Sequence, residues 1–348
     1  MNAAGRKKPF INLLFFTSLI ALLVASCSTP AGGSIASAPQ SSEDHEHVSG
    51  AAIEMLTLPI LEPAALNGDL LQVVATTSII GDVVHHVGGE NIELTTLMKP
   101  GQDPHSFEPA AQDLTTVSAA DVIFVNGWNL EEALVSNLTA IGQDIPQVPV
   151  SAGIAPLAFG QDDDVLAHNT ADPHAWFSVE NVKQWVKNVQ QALTALDPDN
   201  TQAFESNARE YLLELEDLER YAEAELAHIP TGNRFLVTNH DSLGYFADEY
   251  GFEILGTVIP GASTLAEPSA RDMVGLIKVM QAHGICTIFS DSTNSDALAK
   301  TVAAELTGCD DVQVLPLYTG ATGPAGSGAD SYIGMFRANV ETIARGLQ

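Results

Sequence analysis

Cations are scarce in this 348-residue chain, where 14 lysines and arginines stand against 44 aspartates and glutamates, for a net charge of −30. That balance excludes a nucleic-acid partner, because phosphate binding relies on Lys and Arg. It suits a well-hydrated surface that tolerates or attracts cations. Cysteine is scarce as well, limited to Cys27, Cys286 and Cys309. Long apolar runs are missing beyond residue 24. The one run before it, Phe10 to Val24, falls short of the roughly 20 residues a membrane span needs. Glycine and proline, 27 and 18 residues, are too few for a fibrous or low-complexity chain. No HExxH pattern of a zinc hydrolase occurs.

What is present begins with an export signal. Arg6, Lys7 and Lys8 precede the apolar run, and Val24-Ala25-Ser26-Cys27 follows it. Small residues before a cysteine at the end of such a run resemble the bacterial lipobox. Residues 1–26 are therefore expected to be a lipoprotein signal peptide, with Cys27 the lipidated mature N-terminus; a plain signal peptide or an anchor helix is the alternative. Cys286 and Cys309 then lie in an oxidising compartment, where they read as a disulfide or as two buried thiols.

Residues 27–69, rich in Ser, Ala, Gly and Pro, read as a flexible tether carrying the small cluster Asp44-His45-Glu46-His47. From Leu71 strand-like and helix-like patterns alternate, the signature of α/β units with parallel strands. Strands are expected over Leu71–Thr77, Glu93–Met98, Asp121–Asn126 and Gln147–Val150, and helices over about Ala110–Ala119 and Leu130–Ile141. Pro198 to Ile229 differs: Phe204, Tyr211, Leu212, Leu215, Leu218 and Tyr221 recur at three- and four-residue spacing with no internal Gly or Pro. A second alternation follows, with strands at Phe235–Asn239, Glu253–Val258, Cys286–Ser290 and Val312–Leu317 and helices over about Ala270–His283 and Asp330–Gly346. The expected fold is α/β: two lobes, each with a small parallel sheet flanked by helices, spanning 70–195 and 230–348 and joined by one long rigid helix over 196–229. Ligands of open α/β sheets bind beyond the carboxyl ends of the strands.

Three of the ten histidines fall at such ends. His105 and His174 each close an Asp-Pro-His tripeptide, Asp103-Pro104-His105 and Asp172-Pro173-His174, in loops that feed helices. His240 directly follows the Phe235–Asn239 strand. Proline ahead of the histidine stiffens the backbone and leaves the imidazole little entropy to lose. Neutral imidazoles suit Zn, Cu, Fe and Ni, whereas hard cations prefer oxygen. His85 and His86, adjacent on one helix, cannot share a site and read as structural. His228 and His283 fall at helix ends, where a partial positive charge is favourable. His168, beside Asp162-Asp163-Asp164, reads as part of a solvated loop.

These residues, with Val74-Ala75-Thr76-Thr77-Ser78-Ile79, the segment Pro100 to Pro109, Asn126-Gly127 with Glu131, Thr238-Asn239-His240-Asp241, Glu267-Pro268-Ser269 and Tyr332-Ile333-Gly334-Met335 with Asn339, resemble the metal-binding receptors of zinc and manganese ABC importers over Leu71 to Leu347. The resemblance implies metal ligation by His105, His174 and His240 in the cleft between lobes, with a zinc ion as cargo and a membrane permease as partner. It also implies a monomer, lipid-anchored outside the cytoplasm in the periplasm or on the outer face of the membrane, that is not an enzyme. Members often add an aspartate in the loop after the last strand, two residues past an aromatic; here Tyr318-Thr319-Gly320 puts Gly320 in that place. Asp291 or water is left for the fourth position. Three histidines without a dependable carboxylate favour Zn²⁺ over Mn²⁺. Glu108, Glu131 and Asp241 are the expected acceptors for the ring N–H groups. Alternatives are Mn²⁺ or Fe²⁺ cargo, a secreted zinc hydrolase, and an adhesin whose metal is structural.

Overall fold

A computed structural model describes residues 53–134, 145–159, 170–261 and 263–348. The expected signal peptide, Cys27, the first part of the tether, most of the 130–141 helix and the 162–168 loop with His168 lie outside the described residues.

The first lobe alternates β1 (Leu71–Ala75), α1 (Ser78–Gly88), β2 (Ile92–Thr96), α2 (Ala111–Ser118), β3 (Val122–Val125) and β4 (Gln147–Pro149). The four strands are parallel, in the order β2-β1-β3-β4. β3 is a continuous apolar run, Val-Ile-Phe-Val, buried at every residue, as a strand covered on both faces must be. Thr77 starts α1 by accepting a hydrogen bond from the Ile80 N–H, and Gly89, at φ 55°, ends it. Successive crossovers from β1 run to opposite sides, so the sheet has a topological switch point between β1 and β3. A crevice opens there, at the carboxyl ends of the strands.

Two helices bridge to the second lobe: α3 (Val179–Leu196) and α4 (Thr201–Leu226). The sequence reads as one helical run from Pro198, but Pro198–Asn200 forms a short 3-10 turn before α4 begins. α4 therefore has 26 residues and is about 39 Å long at 1.5 Å per residue. Its buried stripe of Phe204, Ala208, Tyr211, Leu215, Leu218, Ala222 and Leu226 faces α1, α3 and the final helix. Arg234 closes its far end, donating to the carbonyls of Leu226, Ile229 and Tyr250, where a cation also meets the negative helix terminus.

The second lobe repeats the design with β5 (Phe235–Thr238), α5 (Gly244–Tyr250), β6 (Glu253–Thr257), α6 (Ala270–His283), β7 (Thr287–Asp291), α7 (Ala297–Glu305), β8 (Gln313–Leu317) and α8 (Tyr332–Gly346). Its sheet order, β6-β5-β7-β8, is that of the first lobe, again all parallel. The seven-residue α5 is too short to show a helical period and is absent from the sequence reading. Cys286 and Cys309 are joined in a disulfide, which resolves the choice the sequence leaves open.

One apolar cluster runs without a break from Leu71 in the first lobe to Leu347 in the second. Polar ties cross the same boundary: Asp82 accepts from the Tyr211 hydroxyl and the Tyr332 N–H, Ser78 Oγ accepts from the Thr322 N–H, and Trp176 Nε1 donates to the Thr319 carbonyl. His86 stacks on Tyr211 at 4.1 Å and bonds the Asp82 carbonyl, the structural role expected of it.

The tether expectation fails over residues 53–69. Leu58, Leu61, Ala64 and Leu66 lie against the core, the Ala64 N–H donates to the Leu196 carbonyl, and the Gly153 N–H donates to the Leu56 carbonyl. Gly127 is favoured there by its backbone, at φ 97°, and Leu56 Cδ1 packs where a Cβ would stand, 2.4 Å away. The linker-like composition hides four leucines, whose burial holds the segment as a strap along the first lobe.

Asn188 ties α3 to the end of β4. It is buried, and its side-chain amide donates to the carbonyls of both Val150 and Ala152, at 2.7 and 2.8 Å. Asn188→Ala strands two buried acceptors and is expected to cost about 2–4 kcal/mol. Thermal melting would show the loss, with metal affinity unchanged.

Candidate metal centre

The two Asp-Pro-His tripeptides build the same local device. Asp103 Oδ1 accepts the His105 N–H at 3.1 Å, and Asp172 Oδ1 accepts the His174 N–H at 2.9 Å. Each is a turn in which an aspartate bonds the backbone two residues on, with proline fixing the residue between. Further bonds pin each loop. Asp103 Oδ2 accepts from the hydroxyls of Ser106 and Thr264, and Asn126 Nδ2 donates to the Pro173 carbonyl. The Tyr245 hydroxyl, from the second lobe, donates to the Asp172 carbonyl. His240 leaves the end of β5, and the Thr238 hydroxyl donates to its carbonyl.

The three imidazoles meet in the crevice between the sheets. His174 Nε2 lies 3.2 Å from His105 Nε2 and 3.3 Å from His240 Nε2. The rings are 3%, 1% and 2% exposed for His105, His174 and His240. Nδ1 of His174 is 2.8 Å from Asp172 Oδ1, and Nδ1 of His240 is 2.9 Å from Asp291 Oδ2. Each of those Nδ1 atoms therefore donates to a carboxylate, and the Nε2 lone pairs turn toward one another. Such an arrangement is repulsive unless a cation sits among them. Nitrogen ligands placed tetrahedrally at about 2.0–2.1 Å from zinc would be about 3.3–3.4 Å apart, close to the observed spacings. Among the described residues, these three are the one group of His, Cys, Asp and Glu side chains whose ligand atoms all lie within 4.8 Å of one another.

The acceptors differ from those expected. Glu108 is exposed and makes no hydrogen bond to a ring among the described residues. Glu131 is wholly buried, but it accepts from the Thr76 hydroxyl and the Asn126 N–H, bracing the ends of β1 and β3. Asp241 makes no hydrogen bond to a ring among the described residues; its N–H donates to the Gly261 carbonyl. The acceptors are Asp172, already inside the motif, and Asp291, at the end of the strand next to β5. Asp291 Oδ2 receives both the His240 ring N–H and the Asn239 amide, so it braces His240 from behind the ring. Nothing in the local sequence couples Asp291 to His240; the β5–β7 pairing of Thr238 with Phe289 does.

Electrostatics divide the trio. Burial, then His174 and His240, push His105 down to about 3. Burial, then His240, hold His174 well below the usual imidazole range. Burial also disfavours the His240 cation, but the charge and hydrogen bond of Asp291, with Asp103 and Asp241, outweigh it and raise His240. Asp291 is lowered in turn, since His240 and its hydrogen-bond donors overcome its burial. Burial raises Asp172 to about 7; a cation bound by His174 would hold it ionised. In the empty site His240 thus carries the extra proton below its raised pKa, while His105 and His174 are neutral.

Gly320 lines the same crevice. A Cβ there would lie 2.8 Å from Pro104 Cδ and 3.4 Å from Pro104 Cγ. The stiff proline of the first Asp-Pro-His occupies the space an acid at position 320 would need.

Two parallel α/β lobes on one core, with converging imidazoles sealed in the crevice between them, define a metal-binding solute receptor. The model of zinc-uptake complex component A, periplasmic (ZnuA), matches residues 73–346, and the chain belongs to that family. It is 33% identical over 288 residues to the manganese-binding lipoprotein MntA of Bacillus subtilis, covering 80% of this chain and 90% of that one. It is 31% identical over 277 residues to the iron-binding protein YfeA of Yersinia pestis, covering 79% and 86%. Among solved structures, the periplasmic zinc-binding protein TroA of Treponema pallidum matches with a TM-score of 0.71 at 30% identity, over 80% of this chain and 99% of that one.

Asp172→Asn and Asp291→Asn each loosen one ring. Each is expected to weaken metal binding about 10–100-fold, measured by competition with a chromogenic chelator. Glu131→Gln, remote from every ring nitrogen, is expected to leave affinity within a few-fold and to lower the melting temperature instead.

Proposed function

We propose that this protein is the extracytoplasmic receptor that captures Zn²⁺ and delivers it to the membrane permease of an ABC-type importer. His105, His174 and His240 are the ligands, and solvent or cargo-borne water completes the coordination. The observation that carries the reading is the donor set: three buried imidazole nitrogens facing one another, with both nearby aspartates committed to ring N–H groups. Neutral nitrogen donors suit zinc, whereas manganese favours more oxygen. The obstruction of position 320 by Pro104 supports the same choice. On this reading the signal peptide and lipidated Cys27 hold a monomeric receptor outside the cytoplasm.

Capture rather than chemistry fits the site. A zinc hydrolase needs a free general base beside its metal-bound water, but Asp172 and Asp291 are both engaged by ring N–H groups. The shared core and the long α4 favour a small shift or loop ordering over wide lobe closure. Manganese or iron cargo is the second reading, favoured by the names of the MntA and YfeA relatives.

The deciding measurement offers equimolar Zn²⁺ and Mn²⁺ to metal-stripped protein lacking the lipid. One tightly held zinc and a large rise in melting temperature are expected. His105→Ala should lose more affinity than the about 10–100-fold lost with an outer partner, and the apo form should stay folded. Preference for manganese would sink the zinc reading, unfolding of the apo form would point to the adhesin, and no bound metal would remove the receptor reading altogether.

The pH dependence has a defined sign. Below its raised pKa His240 keeps a proton that metal must displace, whereas His105 and His174 are already neutral. Below that pKa zinc uptake is therefore expected to release the His240 proton, together with part of one from Asp172 below about 7, with affinity falling about tenfold per pH unit for each proton displaced. Calorimetry in buffers of different ionisation enthalpy reads the proton count; release of three would contradict the assignment.

A further inference from the structure

His105 is the one ring of the trio held on a single side. Asp172 and Asp291 fix Nδ1 of the other two, but Nδ1 of His105 is buried and has no hydrogen-bond partner. A histidine that ligates through Nε2 carries its proton on Nδ1, so loading the site places an N–H donor where nothing receives it, an unfavourable arrangement in a dry crevice. One carboxylate faces that atom. Glu132 Oε1 lies 3.8 Å from His105 Nδ1, about 1 Å beyond a charge-assisted hydrogen bond. Its side chain is 39% exposed, and it makes none of the hydrogen bonds found among the described residues. The adjacent Glu131 cannot take this part, being buried against Thr76 and Asn126.

We infer that Glu132 is a positioning residue for the metal site: when a cation is held by His105 Nε2, the Glu132 carboxylate closes onto His105 Nδ1–H. This rests on the metal-receptor reading. It gives all three rings the same carboxylate brace, two of them permanent and one formed on loading. Because Glu132 sits at the rim while Asp172 and Asp291 are buried, the loaded and empty proteins differ in whether this surface charge is engaged.

Nuclear magnetic resonance of ¹⁵N-histidine protein tests the inference through the ring Nδ1–H signals that are hydrogen-bonded to carboxylates. Two such Nδ1–H signals are expected from the empty protein, His174 and His240, and three from the zinc-loaded one. Glu132→Ala should show two when loaded and release zinc about 10–100-fold faster. Glu132→Gln, which keeps an acceptor oxygen, should restore the third signal and most of the affinity. The apo melting temperature should not move in either variant, because the carboxylate hydrogen-bonds none of the described residues in the empty state. A third signal that persists in Glu132→Ala, or zinc release unchanged from wild type, overturns the role of Glu132 while leaving the receptor reading intact. A wild-type protein that takes up no zinc, manganese or iron overturns both.

Discussion

Three imidazole lone pairs forced together in a dry crevice are the constraint on which the rest of this structure depends. Water is kept from relieving the repulsion, since the rings are nearly inaccessible. Rotation is opposed for His174 and His240 by carboxylates behind the rings, and for His105 and His174 by the aspartate turns that lock the backbone. On the proposed reading, what remains is to place a positive charge at the centre: a proton on His240 below its raised pKa in the empty state, a metal ion in the loaded one. The surrounding architecture holds that unfavourable empty state in readiness, which is preorganisation paid during folding rather than at binding.

The fold supplies the rigidity this requires. Each sheet offers a switch-point crevice, and the continuous core sets the two crevices face to face with little freedom to part. Tyr332 illustrates the coupling: its N–H bonds Asp82 on α1, and its hydroxyl bonds the Trp176 carbonyl two residues past His174. The strap over Gly127 braces the loop leading to Glu131 and Glu132. A receptor so tied has few soft coordinates, and the rim of the crevice is where a difference between empty and loaded states finds room.

The relatives divide among manganese, iron and zinc by name, so the fold does not choose the metal. Donor chemistry does. On the proposed reading, exchanging one carboxylate for space filled by Pro104 changes the preferred ion while leaving lobes, core and crevice alone. This is a small change in sequence with a large effect on cargo, because oxygen and nitrogen donors discriminate ions more sharply than cavity shape can.

Much of this was determined by the sequence alone. Strand and helix alternation, the apolar stripe of α4, and histidines at strand ends are local patterns whose physics is local: periodicity, turn chemistry and proline stiffness. The paired Asp-Pro-His tripeptides marked two ligand candidates, and the family resemblance singled out Gly320 as the place where an acid often stands. Only the tertiary structure decided which acid faces which ring. Glu131 and Glu132 are neighbours in sequence, yet one braces two strands and the other faces His105. Asp291 reaches His240 across 51 residues through strand pairing, and the leucines of the strap reveal themselves only against the surface they cover. These are contacts between distant segments, and no pattern within a segment encodes the direction from which its partner will come.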